Sequence, residues 1–161
     1  MALALVNGRM FIDGICHERA LLIENDRILD VMLNVDPRLR HAKVHDLEGA
    51  LILPGFIDVQ VNGGGGVLFN DNPTIEGIRA IGAAHYRFGT TGFLPTLISD
   101  DLGVVAQAIA AVRSAMAAGV PGVLGIHIEG PFLSEARKGA HLRITLGDAA
   151  FYFAPFATAS L

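Results

Sequence analysis

From Leu51 onward, apolar β-prone stretches alternate with amphipathic ones, and this alternation restricts the fold more than any other feature. Residues 51–61 read as a strand that ends in Asn62 and the glycine run Gly63 to Gly66. Asn72-Pro73 opens a helix, because proline is tolerated in a first turn where its missing N–H costs nothing. Ile75, Ile78, Ile81 and Phe88 mark the face of that helix, and Gly89 stops it. Residues 91–99 read as a second strand. Asp100-Asp101 then favour the positive end of a helix in which Leu102, Val105, Ile109, Val112 and Met116 recur at helical spacing. Gly119 stops this helix, and residues 123–129 read as a third strand. Three strands joined by two helices are two βαβ units, so the strands are expected to be parallel with right-handed crossovers. Such units belong to a β/α barrel or an open α/β sheet.

The preceding residues follow a different pattern. Residues 2–6, 9–12, 15–17, 20–24 and 27–33 are short β-prone runs. Asn7-Gly8 and Asp13-Gly14 are hairpin signals, and Asn25-Asp26 is a further turn. Pro37 and the charges after it read as a solvated loop, with re-entry at residues 44–47. Residues 1–53 are therefore expected to form a small antiparallel β unit, a portion of a sandwich. A chain that is 52% hydrophobic and 17% charged suits strands buried on both faces, not disorder. The net charge of -4 and the lack of a Lys/Arg cluster give no footprint for nucleic acid. Cys16 is the only cysteine, which rules out an internal disulfide and suits a reducing cytoplasm. The first residues lack the basic start of a signal peptide, and no apolar run reaches the roughly 18 residues of a membrane helix. A soluble, cytoplasmic protein is expected.

Active sites of parallel α/β folds form at the C-terminal strand ends. The first end carries Asp58, Gln60 and Asn62, the second Thr96 and Ser99, and the third His127 and Glu129. Polar groups on a buried strand must be hydrogen-bonded, paired or bound to metal. Glu129 is accordingly either a metal ligand or a carboxylate satisfied by a backbone N–H or by Arg137 or Lys138. His127 is an interior hydrogen-bonded histidine or a substrate contact. Gln60 and Asn62 orient a water or substrate, or tie down the loop that follows them. The glycine run lacks the endings of a phosphate loop and shows only close backbone approach. His85 reads as a structural residue within its helix, and His17, His41 and His45 lie far in sequence from the strand ends.

Three motifs carry a family resemblance. They are Pro54-Gly-Phe-Ile-Asp-Val-Gln-Val-Asn-Gly-Gly-Gly-Gly-Val-Leu-Phe-Asn-Asp71, Gly89-Thr-Thr-Gly-Phe-Leu-Pro-Thr-Leu97 and Gly125-Ile-His-Ile-Glu-Gly-Pro-Phe-Leu133, followed by Arg137-Lys-Gly-Ala-His141. In this order the chain resembles the N-acetylglucosamine-6-phosphate deacetylases of the amidohydrolase superfamily, from about Leu5 to His141. Many amidohydrolases end strand one in His-x-His, whereas Gln60 and Asn62 occupy those positions here, as in the deacetylase branch. The resemblance implies the first three βα units of a (β/α)8 barrel over residues 54–141. It also implies hydrolysis of the acetamide of N-acetylglucosamine 6-phosphate to glucosamine 6-phosphate and acetate. It assigns Glu129 to a catalytic divalent metal, zinc or iron, together with two later histidines, and a later Asp to general acid/base work. Ala140 and His141 would lie beside the sugar phosphate, with Gln60, Asn62 and His127 lining the site. It further implies a homo-oligomer for the intact parent enzyme.

After His141 the resemblance stops. Residues 142–161 are a divergent tail whose last part is uncharged and carries Phe151, Tyr152, Phe153 and Phe156. No histidine follows His141, so the later ligands have no counterpart and the general acid/base is missing. The chain is therefore expected to be an incomplete barrel, inactive alone, with a tail of frameshift character. The competing readings are a fragment of another amidohydrolase, such as a cyclic-amide hydrolase, and a non-catalytic β/α binding module.

Overall fold

The computed structural model describes residues 1–129. The chain divides into two compact units, Met1–Pro54 and the residues from Gly55 onward.

In the first unit, β1 (Leu3–Ile12), β2 (Ile15–Glu24) and β3 (Arg27–Met32) form an antiparallel meander. Asp13 and Gly14 have φ of 50° and 83°, and Asn25 and Asp26 have 49° and 62°. Paired positive φ values are what a two-residue hairpin turn needs, so both turn signals form. Asn7-Gly8 does not form one. β1 runs straight through it, with a register shift between Leu5 and Gly8 and Asn7 at φ 55°. The positive φ is absorbed as a bulge, which tolerates a single such residue inside a paired strand. Side-chain atoms of Leu47 and Ile52 lie 2.6 and 2.9 Å from where a Gly8 Cβ would stand, so packing holds the glycine there.

The expected purely antiparallel arrangement is corrected further along. β4 (Lys43–Asp46) and β5 (Leu51–Ile52) both pair with β1 in parallel, giving one mixed five-stranded sheet. Parallel pairing needs a crossover. The stretch read as a loop supplies it, coiled into a 3-10 helix at Pro37–His41. Leu39 of that helix packs with Ala4, Ala20, Leu22 and Met32. Asp36 caps the helix, accepting from the Arg38 N–H at 2.9 Å, while the Arg38 guanidinium grips both its oxygens. The side-chain hydrogen bonds from Arg38 hold the Asp36 carboxyl below the usual carboxylate range.

The second unit is α/β. β6 (Phe56–Val61) leads into a hairpin of β7 (Gly63–Gly64) and β8 (Val67–Leu68), then α1 (Ile75–Tyr86), β9 (Thr90–Leu97), α2 (Leu102–Ala117) and β10 (His127–Ile128). The sheet order is β10-β9-β6, all parallel, so strands adjacent in the chain are neighbours in space. The run expected as one strand over 51–61 is broken at Pro54-Gly55. Its first part belongs to the sheet of the first unit, and the Phe56 N–H begins the second by donating to the Gly89 carbonyl at 2.9 Å. A proline cannot donate to a ladder, which accounts for the break.

The buried centre of this unit holds Val61, Phe69, Ile78, Ile81, Phe93, Leu97, Ala108, Val112 and Ala115. Ile75, Ile78 and Ile81 on α1 and Val105 and Val112 on α2 face the core as expected, and three positions depart. Phe88 lies beyond the end of α1 and is 78% exposed. On α2, Leu102 and Met116 are exposed and Ala108, Val112 and Ala115 are buried. Ala108 and Ala115 on the inner face let the helix backbone approach the sheet closely, while Leu102 and Met116 at its two ends are turned out. α1 begins with Thr74 as its cap, Oγ1 accepting from the Gly77 N–H at 3.1 Å, so Pro73 precedes the helix instead of sitting in its first turn.

Gly77 lies in that first turn. An alanine there would ordinarily gain about 1 kcal/mol of helix propensity. Its Cβ, however, would stand 2.3 Å from the Asn72 carbonyl oxygen. Gly77→Ala is therefore expected to lower the urea midpoint, and a raised midpoint would refute the close approach.

Candidate functional site

The carboxyl ends of β6, β9 and β10 bring together residues far apart in sequence. β10 is in register with β9 through His127 opposite Thr96 and Ile128 opposite Leu97. The Glu129 N–H continues that ladder, donating to the Leu97 carbonyl at 2.8 Å. This anchors the Glu129 backbone at the tip of the third strand, and its side chain meets residues of the first.

Gln60 donates through Nε2 to Glu129 Oε1, and Asn62 donates through Nδ2 to Oε2 at 3.3 Å. Alternate residues of a strand share a face, so one strand end can place both amides against one carboxylate. Glu129 and Asn62 are half-buried and Gln60 is exposed. The premise of a buried Glu129 is thereby corrected. Its side chain stands at the rim of the sheet, past the last ladder pair. Both amides are neutral, so they orient the carboxylate without compensating its charge. Asp58, the third residue of the alternating set, instead accepts from the Gln60 backbone N–H at 3.1 Å.

Thr96 ties these strands together. It is fully buried, and its Oγ1 accepts from the Val61 N–H at 2.9 Å, between the two amide residues. The same hydroxyl donates to the Leu94 carbonyl at 3.1 Å, with His127 Nδ1 at 3.5 Å. Ser99 Oγ donates to the Glu129 carbonyl at 3.4 Å.

Two supports have partners that sequence reasoning did not find, although His85 was read as structural. His85 Nε2 bonds the Gly63 carbonyl at 2.9 Å and so holds the backbone next to Asn62. Asn70 bonds both backbone groups of Ile98 at 3.1 Å and Asp100 Oδ2 at 2.8 Å. For His85 the signal was its place on α1, but its partner is a glycine carbonyl, which no residue pattern reveals. Asn70 showed no signal of its own. Ala140, His141, Arg137 and Lys138 lie outside the described residues.

The donor set suits one corner of a metal site. Each Glu129 oxygen accepts one amide N–H and retains lone-pair capacity for a cation. A structural or catalytic metal needs several such donors. Among the described residues no group of three or more His, Cys, Asp or Glu side chains is gathered to supply them. Glu129 therefore fits as a single ligand within a larger set. No helix among the described residues is long and apolar enough to cross a membrane.

No protein-family model matches the chain. Among curated proteins, it is 52% identical over 95 residues to an N-acetylgalactosamine-6-phosphate deacetylase from Shewanella sp., covering 59% of this chain and 24% of that protein. It is 33% identical over 142 residues to an N-acetylglucosamine-6-phosphate deacetylase from Haemophilus influenzae, covering 88% of this chain and 37% of that protein. Among solved structures, an N-acetylglucosamine-6-phosphate deacetylase from Pasteurella multocida superposes with a TM-score of 0.82 at 30% identity, covering 88% of this chain and 38% of that one. The chain thus spans well under half the length of these relatives. In sequence and in backbone, it matches the N-terminal portion of the N-acetylglucosamine-6-phosphate deacetylases of the amidohydrolase superfamily.

Proposed function

We propose that this chain is the first part of a metal-dependent carbohydrate deacetylase that hydrolyses the acetamide of N-acetylglucosamine 6-phosphate to glucosamine 6-phosphate and acetate. The observation that carries the reading is the carboxylate of Glu129, presented by two amides at the ends of parallel strands. Residues 1–53 are read as the small β domain, residues 54–141 as the opening of a (β/α)8 barrel, and residues 142–161 as a divergent tail. Strands adjacent in sequence lie side by side in the sheet, as the first three of a barrel do.

In this reading Glu129 is one ligand of a divalent metal, zinc or iron. Such an ion polarises a carbonyl and makes bound water a better nucleophile. Gln60 and Asn62 orient Glu129 with their N–H groups, Thr96 aligns the strand that carries them, and His127 lines the site. Ala140 and His141 contact the sugar phosphate. The general acid/base and the remaining ligands come from a polypeptide beyond this chain, so the chain alone releases no acetate. A cytoplasmic enzyme, homo-oligomeric when intact, completes the proposal.

The 52% identity with a galactosamine-series deacetylase favours a second reading in which the sugar is the 4-epimer. One experiment addresses both. Residues 1–141 replace the matching portion of the Haemophilus influenzae protein, and acetate release is measured with each epimer. Activity is expected, with the preferred epimer showing which reading holds. Loss of a partner that orients a metal ligand costs about 10- to 100-fold, so Gln60→Ala in the chimera should fall in that range and Glu129→Gln should fall further. A folded, metal-loaded chimera that hydrolyses neither epimer would sink the proposal.

A further inference from the structure

Two sequence features take no part in the proposed chemistry, the glycine run Gly63 to Gly66 and His85 of α1, and the fold brings them together. β7 and β8 make a tight hairpin directly after Asn62, with Gly65 and Gly66 at its turn at φ of 61° and 82°. The Phe69 N–H closes the excursion by donating to the Asn62 carbonyl at 2.8 Å. The hairpin lies against the last turns of α1. A Cβ added at Gly64 would stand 3.3 Å from the Ala84 Cβ, and one at Gly65 would stand 3.4 Å from the same atom. His85 Nε2 reaches the Gly63 carbonyl at 2.9 Å. A carbonyl only accepts, so this nitrogen carries the proton and donates.

Gly64 is what lets the ring reach. A Cβ there would stand 2.9 Å from Nε2, the donating atom itself, and 3.0 Å from Cδ2. Gly64, unlike Gly65 and Gly66, has no positive φ. Alanine therefore suits its backbone, and the added methyl would displace the imidazole. The carbonyl that His85 holds adjoins Asn62, whose Nδ2 meets Glu129 Oε2 at 3.3 Å. This is longer than the roughly 2.9–3.0 Å typical of such bonds, so a small shift of the backbone that carries Asn62 breaks it. Gln60 is placed differently. It lies within β6, and Thr96 Oγ1 holds the next residue by accepting from the Val61 N–H at 2.9 Å.

We propose that His85 is a positioning residue for the Glu129 carboxylate, acting through the Gly63 carbonyl and the Asn62 amide, and that a glycine at position 64 is required to admit it. The consequence for a metal rests on the proposed reading of Glu129 as a ligand. The positioning itself does not.

The test follows the side-chain amides of Asn62 and Gln60 by nuclear magnetic resonance in the full chain. His85→Ala and Gly64→Ala should each shift the Asn62 pair and leave the Gln60 pair in place. His85→Gln, whose amide N–H can reach the same carbonyl, should return the Asn62 pair to its original position. Combining Gly64→Ala with His85→Ala should add nothing to either change alone, because both remove one contact. Circular dichroism checks that each variant folds. If His85→Ala does not, Gly64→Ala and His85→Gln decide. The proposal is overturned by an unmoved Asn62 pair, by equal movement of the Gln60 pair, which marks general loosening, or by failure of His85→Gln to restore the signal. In the chimera carrying residues 1–141, zinc affinity should fall about tenfold in His85→Ala and recover in His85→Gln. That is the lower end for loss of a group that orients a ligand, because Gln60 still holds Oε1. An unsubstituted chimera that holds no zinc counts against the proposed activity, and the amide signals then decide the positioning alone.

Discussion

Phe93→Ala is expected to destabilise the second unit by about 3–5 kcal/mol, the usual cost of removing a large buried aromatic. Phe93 sits at the centre of β9 with no exposed surface and packs edge-on against Tyr86, ring centroids 6.4 Å apart at 76°. Gly82 of α1 makes room for it, since a Cβ there would stand 3.0 Å from the ring. The neighbours on this site are a helix backbone and a paired strand, which cannot collapse into the cavity. Small domains are stable by only about 5–15 kcal/mol, so the loss takes a large part of the total. Urea titration followed by circular dichroism measures it. A loss below about 1 kcal/mol would show that Phe93 is not the centre of the packing.

Thr96→Val is expected to have the second largest effect, about 1–3 kcal/mol, because it leaves a buried N–H unsatisfied. Valine matches threonine in shape but cannot accept from the Val61 N–H or donate to the Leu94 carbonyl. Its effect should extend beyond stability. Val61 lies between Gln60 and Asn62, so the amides holding Glu129 lose their alignment. Thr96→Ser, which keeps the hydroxyl, should retain most of both. Nuclear magnetic resonance of the two side-chain amides provides the check. Unshifted Gln60 and Asn62 amide signals in Thr96→Val would show that the strands hold their register without the hydroxyl.

The strand–helix alternation after Leu51 was legible because periodicity is local, and α1, β9 and α2 lie close to where it put them. Hairpin turns at Asp13-Gly14 and Asn25-Asp26 were legible for the same reason, since their dihedral demands select the residues. Asn7-Gly8 carried the same signal and formed a bulge, because strand pairing with β2 and packing by Leu47 and Ile52 act from outside the dipeptide. The helix faces were misread at Phe88, Leu102 and Met116, where apolar character said nothing about which neighbour was close enough to cover it.

At the site, alternation alone put Gln60 with Asn62, and His127 with Glu129, on common strand faces. Which strand end faces which depends on sheet order, a property of the folded chain. A carboxylate with no nearby cation in sequence could have met a backbone N–H, a lysine or a metal. That it meets two amides sixty-nine and sixty-seven residues away follows only from β9 lying between β6 and β10. The residues of this protein thus determined its elements and the polar groups at their ends, through short-range backbone and side-chain geometry. The tertiary structure decided their partners, because parallel strands pair through crossovers whose closure no local pattern encodes.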